Sequence, residues 1–314
     1  MKGLELSKSF YYEFGEKMIM DNFPNLFSKI AIGLIGAGSE CFSYDDDVSV
    51  DHDFDPGFLI FVSDDIDDNL VFKLKRAYAK LPMEYKGFKR EVMSPVGGNR
   101  RGVKRVSDFL YEKTGTRDGN LSYYDFLRIP EESLAELTNG EIWRDDSKLI
   151  TNIRIKLFVM PKDVILKKLA GEVLMMAQSG QYNYNRCIKH NELGAARLAA
   201  YEFVNASIHA AFLLNEVYMP YYKWSFRALR SLSWPKNMAD FENELVSLLN
   251  ISDENMRIGY ASSSIEKISS IILSRLKADG LSKKDDSYLE SHAYEINNKI
   301  VDNNLRNMHI LSAV

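Results

Sequence analysis

Between Gly36 and Val62 the chain reads GAGSECFSYDDDVSVDHDFDPGFLIFV, which puts six aspartates into the eleven positions from Asp45 to Asp55. Asp51, Asp53 and Asp55 alternate, and on an extended strand alternate side chains share a face, so these carboxylates can converge on one point. Hard divalent cations such as Mg²⁺ take that kind of oxygen donor set. From composition alone a solvated loop explains the run equally well, because surface aspartates are common. Asp45, Asp46 and Asp47 are consecutive, so neighbours point to opposite faces; they read as turn and solvent-facing residues.

Two familiar loops fail on their spacing. A calcium-binding EF-hand beginning at Asp51 needs glycine at its sixth position and glutamate at its twelfth, where this chain has Pro56 and Val62. A dinucleotide fingerprint beginning at Gly36 meets Cys41 at its third glycine position, and no P-loop lysine follows.

The pattern that survives is a strand-like run ending in Gly38-Ser39, eleven intervening residues, and Asp51-x-Asp53 leading into an apolar run. It resembles the signature of the nucleotidyltransferase superfamily that includes DNA polymerase β and the aminoglycoside nucleotidyltransferases. The blocks LTNGEIWRDD, MAQSGQYNYNRC and FLLNEVYMPYYKW, in that order, are similar to a bacterial branch of that superfamily, and the resemblance extends from about Gly33 to Leu232.

The resemblance implies that Gly38 and Ser39 face the triphosphate of a nucleoside triphosphate such as ATP. It further implies that Asp51 and Asp53 bind Mg²⁺, with room for two ions. The chemistry is consistent, since a glycine lets backbone donors approach phosphate oxygens and a serine hydroxyl adds another. His52 departs from the pattern, which usually has an apolar residue between the aspartates; strand alternation turns it away from them.

The superfamily also places a third carboxylate on a neighbouring strand, and Glu91, Asp108 and Glu141 all qualify. Asp108 is preferred because it follows a strand-like run at Val103 to Val106, although it suits the N-cap of the next helix as well. Further along, Lys223 and Arg227 lie four apart on a helical segment beside Tyr222 and Trp224, where a cation can meet a phosphate. The resemblance favours Lys223 for that role, and Arg227 reads as a solvated cation. Arg186, Lys189 and His190 read as part of a polar loop.

These residues need elements to hold them. Lys29 to Gly38 and Gly57 to Val62 read as buried strands, and Asp64 or Asp65 opens a helix running from about Asp67 to Lys80 before Pro82. Residues 87 to 106 suggest two short strands around a Gly-Gly turn. SDFLYEKTG and the segment from Pro130 to Asn139-Gly140 read as short helices. After Pro161 helical periodicity takes over, with Leu198, Tyr201, Val204, Ile208 and Ala211 marking one face.

The expected architecture is therefore an α/β (α+β) nucleotidyltransferase-like domain with a small mixed sheet over residues 1–155, followed by an all-α domain over 156–314. The net charge of −4 gives no overall reason to favour nucleic acid. Cys41 and Cys187 form neither a disulfide framework nor a zinc cluster. No leader-like or membrane-length apolar run is present, so a cytoplasmic protein is expected. The functional expectation is Mg²⁺-dependent transfer of a nucleoside monophosphate to a hydroxyl of a small-molecule acceptor, releasing pyrophosphate. The alternative is a noncatalytic protein that keeps the fold to bind nucleotide or a partner.

Overall fold

The computed structural model describes residues 1–48, 55–90, 100–257 and 259–314. The chain divides into two compact units, Met1–Leu121 with Ile129–Val159, and Ser122–Arg128 with Met160–Val314. A division at 155/156 assigns residues 122–128 to the first domain; in the structure they fold with the second unit.

The first unit begins with α1 (Gly3–Phe10), a π-helical turn (Tyr11–Gly15) and α2 (Glu16–Asn22). Leu6, Phe10, Phe14 and Met18 recur every four residues along this arm and meet one core, as helical spacing requires. β1 (Ile30–Leu34) and β2 (Leu59–Val62) are buried along their whole length, which is why both read as unbroken apolar runs. Asp67 caps α3 (Asp68–Ala79) by accepting from the amides of Asn69 and Leu70.

β3 (Glu84–Tyr85) and β4 (Phe88–Lys89) form a two-residue hairpin around Lys86-Gly87, both at positive φ, as a type I′ turn demands. The Gly97-Gly98 turn lies outside the described residues. β5 (Gly102–Arg105) and α4 (Val106–Thr114) follow. Next come α5 (Tyr123–Arg128), α6 (Glu131–Thr138), β6 (Glu141–Arg144) and α7 (Thr151–Leu157).

The four-stranded sheet has the order β5-β2-β1-β6. β1 runs antiparallel to β2, with Gly33 opposite Leu59, and to β6, with Leu34 opposite Glu141. β2 and β5 are parallel, with Leu59 opposite Gly102 and Val62 opposite Arg105. One end of the sheet thus gathers the end of β1 and the starts of β2, β5 and β6. Ile30, Ile32, Ile60, Val62 and Val103 share a core with α1 and α3. Phe61 meets Phe109 of α4, ring centroids 5.1 Å apart. The small mixed sheet and mixed α/β character match the coarse expectation.

In the second unit every described element is helical. α8 (Lys162–Met176) is buried from Val164 to Leu174 and continues through π-helical turns (Ala177–Tyr184) into α9 (Asn185–Lys189). α10 (Leu193–Leu214) packs on α8 and on those turns. Its buried line starts at Ala196, Ala200 and Phe203, while Leu198 and Tyr201 are 69% and 58% exposed. The apolar stripe read from sequence is therefore correct from Val204 onward and rotated before it, where small alanines allow close helix approach.

α11 (Tyr222–Leu229), α12 (Met238–Leu249), α13 (Asp253–Arg257), α14 (Tyr260–Ala278), α15 (Leu289–Asn298) and α16 (Asn303–Asn307) complete the unit. Among the described residues no helix is long and apolar enough to cross a membrane.

Candidate functional site at the end of β1

The chain leaves β1 through a turn in which Gly36 and Gly38 have φ of +110° and +131°, values that L side chains avoid. A single 3₁₀ turn, Glu40–Phe42, follows, and the Ser39 carbonyl accepts from the amides of Phe42 and Tyr44. Ser39 is half-buried, and its hydroxyl has no hydrogen-bond partner among the described residues.

The turn is fixed from behind by the start of β6. The Asn139 side chain accepts from the Gly36 amide at 2.9 Å and donates to the Gly36 carbonyl at 2.8 Å, imitating a strand partner. Gly140 donates to the Cys41 carbonyl at 2.8 Å. A Cβ at Gly140 would lie 2.1 Å from the Leu34 carbonyl oxygen, so only glycine permits this contact. Sequence reasoning read Asn139-Gly140 as a helix stop; the dipeptide also carries the clamp, and a side-chain amide beside a glycine was the one available signal.

Buried charge gathers beside the turn. Arg101, the residue before β5, sends Nη2 to Glu40 Oε1 at 2.7 Å, and its Nε lies 3.7 Å from Asp55 Oδ1. The three side chains are only 7%, 4% and 10% exposed. Burial disfavours the guanidinium charge, but the Glu40 and Asp55 carboxylates more than offset it, and Arg101 holds its proton more tightly than usual. Nη1 of Arg101 is buried with no hydrogen-bond partner among the described residues. The Cys41 thiol is pushed far up by burial and by Glu40, which leaves it unreactive as a nucleophile.

The space left by the missing Cβ of Gly38 is taken by Glu40, whose carboxylate oxygens would stand 2.5 Å from it. The glycine was expected to admit a phosphate; here it admits the chain's own carboxylate, and the free Ser39 hydroxyl is the open group of the turn.

The other sequence candidates fall as follows. Asp51, His52, Asp53 and Glu91 lie outside the described residues. Asp45 is buried, not solvent-facing: its Oδ2 accepts from the Gly3 amide at 2.8 Å and Lys2 lies 3.6 Å from Oδ1, which ties α1 to the turn. Asp46 and Asp47 are exposed.

Asp108 does not reach the turn. It lies in the first turn of α4, past Arg105, at the opposite end of β5 from Arg101, and it pairs in solvent with Arg117 at 2.8 Å. It is not an N-cap either, since Arg105 holds that position. Glu141, by contrast, sits opposite Leu34 at the same sheet end as the turn and accepts from Lys8 at 2.8 Å and Trp143 at 3.1 Å. The bond to Glu141 raises the Lys8 ammonium above its ordinary value. Lys223 lies on α11 in the second unit, exposed, its ammonium 4.5 Å from the Trp224 ring. Arg227, one turn on, is also exposed.

Among the described residues no group of three His, Cys, Asp or Glu side chains is placed to hold a metal ion. Glu40 and Asp55 are engaged by Arg101, and Glu141 by Lys8 and Trp143.

A family described as a domain of unknown function (DUF4037) matches residues 126–225. The match runs from α5 to α11 and includes the Asn139-Gly140 clamp and Lys223, but not the turn at Gly38. No curated protein and no solved structure matches the chain.

Proposed function

We propose that the protein is a Mg²⁺-dependent nucleotidyltransferase that moves a nucleoside monophosphate from a nucleoside triphosphate to a hydroxyl of a small-molecule acceptor. The observation that carries this reading is the Gly36–Ser39 turn, clamped by Asn139, with a serine hydroxyl that has no partner among the described residues, at the sheet end where β2 begins. The acidic segment precedes β2 directly in sequence. A cluster at such a sheet end suits a reaction whose catalysis is chiefly positioning and electrostatics.

In this reading the Ser39 hydroxyl donates to a phosphate oxygen, and Asp51 and Asp53 hold the metal. Bound Mg²⁺ would neutralise charge on the leaving pyrophosphate. Lys223 would add a cation for the phosphates. The finer arrangement, a nucleotidyltransferase-like domain followed by a helical domain, belongs to the same proposal.

The test is release of pyrophosphate from each of the four nucleoside triphosphates, with Mg²⁺, across a panel of hydroxyl acceptors that includes aminoglycosides. Asp51→Asn and Asp53→Asn should each abolish release, Ser39→Ala should lower it about 10- to 100-fold, as expected for one hydrogen bond to a charged group, and EDTA should stop it. Release that persists in both aspartate variants would sink the metal assignment.

The noncatalytic alternative is favoured by one observation, the placement of Asp108 away from the turn. Nucleotide binding without any pyrophosphate release across the panel would establish it.

A further inference from the structure

Within the first unit, α2 and the C-terminal half of α3 flank an open cleft of about 590 Å³, a size that suits a small organic ligand. Phe14, Met18, Ala77 and Leu81 supply an apolar surface, continuous with the sheet core. Lys73 and Arg76 of α3 and Lys80, its C-cap, line it, at spacings of three and four that put them on one face, and Lys17 lines it from α2. These four cations stand against two carboxylates, Glu13 and Asp21, of which Glu13 is taken by the Tyr85 hydroxyl at 2.7 Å. In a chain of net charge −4 this is a local reversal of sign.

A second cleft, of about 380 Å³, lies in the helical unit and shows what a self-sufficient lining looks like. Its cations are already matched: Lys162 pairs with Glu216 at 3.3 Å and Arg275 with Asp279 at 2.6 Å. In the first unit Lys17, Lys73 and Lys80 make neither a hydrogen bond nor an ion pair among the described residues, and Arg76 only lies 6.0 Å over the Phe72 ring. Like charges left unpaired around a concave apolar floor create a positive potential that a bound anion relieves.

We propose that this cleft binds a small organic anion with an apolar body. The body lies on Phe14, Met18, Ala77 and Leu81, and its phosphate or carboxylate group is held by Lys73, Arg76 and Lys80 with Lys17 opposite. Each cation contributes a charge-assisted hydrogen bond, and the apolar floor selects against a bare inorganic ion. The site is separate in residues from the turn at Gly38 and does not depend on the transfer reaction.

Isothermal titration of the full chain with 1-naphthyl phosphate, 1-naphthoate, 1-naphthol and inorganic phosphate tests it. At least one naphthyl anion should bind about tenfold tighter or more than both 1-naphthol and inorganic phosphate, and the two anions distinguish a phosphate site from a carboxylate site. The exposed-residue double variant Lys73→Glu/Lys80→Glu should lose about tenfold or more of that affinity with unchanged thermal unfolding, and Ala77→Trp should block binding by filling the floor. Ser39→Ala and Asp51→Asn should leave it unchanged. Absence of saturable binding by both anions, equal affinity for 1-naphthol, or undiminished affinity in the charge-reversed variant would overturn the proposal. A loss of binding in Ser39→Ala would do the same by moving the ligand to the other site.

Discussion

Both units bury cations, and two of them, Lys167 and Arg101, are held in opposite ways. In the helical unit Lys167 is fully buried, and its ammonium donates to Asn297 Oδ1 at 2.9 Å and to the Met308 carbonyl at 2.7 Å. Both partners are neutral, and the contact staples α15 and the chain beyond α16 onto α8. In the sheet-bearing unit Arg101 is held by two buried carboxylates, and two of its nitrogens, Nε and Nη1, have no hydrogen-bond partner among the described residues. Charge met by charge in a low-dielectric setting is costly to disturb, and an unsatisfied buried donor is a cost a purely structural contact would avoid. Lys167 is thus held by neutral acceptors and Arg101 by opposite charge.

Substitutions can break this contrast, and Arg101→Gln should have the largest effect. It strands the buried Glu40 carboxylate and removes the guanidinium from beside Asp55, for a loss of about 3–5 kcal/mol in urea unfolding. Pairing it with Glu40→Gln should recover part of the loss. Were Arg101→Gln to cost no more than a change at Lys167, the distinction between the two cations would fail.

Gly38→Ala comes next. It forces a Cβ into a left-handed conformation and against the Glu40 carboxylate, at about 2–3 kcal/mol, read from the same unfolding curves.

Lys167→Met removes a charge without stranding another, leaving only two acceptors unpaired, so about 1–2 kcal/mol is expected. A pH series sharpens this. Burial holds the Lys167 ammonium below its ordinary value of 10.5, so between the folded value and 10.5 the unfolded chain binds the extra proton. The stability of the wild type relative to Lys167→Met should therefore rise with pH as that window is crossed. A difference that stays flat or falls as the pH is raised toward 10.5 would contradict burial as the cause.

Ser39→Ala should have the smallest effect on stability, within about 0.5 kcal/mol, because no partner is lost, while transfer activity falls. A large loss of stability would show that the hydroxyl is a structural group.

Much of the local structure was legible. The apolar runs of β1 and β2 and the proline-first, glycine-last helix at Glu131–Thr138 follow from backbone chemistry that acts over a few residues, whereas the cap of α3 was read at Asp64 or Asp65 and is Asp67. The site was legible only where it is local. Gly38-Ser39 was visible as a strand ending in a turn, whereas the choice of Asp108 rested on its following a strand. What mattered was which end of that strand faces the turn, and this depends on β5 running parallel to β2. The antiparallel register of β1 and β6 puts Glu141 opposite Leu34, a relation across more than a hundred residues that no short-range pattern carries. Asp45 was misread because its burial depends on α1 arriving over it from the N-terminus.

Residue order alone thus determined the periodicities, caps and turns, since hydrogen bonding and side-chain sterics within a turn of helix or a pleat of strand are properties of neighbours. Tertiary structure decided that Arg101 joins Glu40 to Asp55, that Asn139 holds Gly36, and that lysines with no ion-pair partner among the described residues line one cleft while the cations of the other are paired. Those outcomes belong to groups far apart in the chain, and their energies turn on burial, which exists only once the sheet and helices have packed.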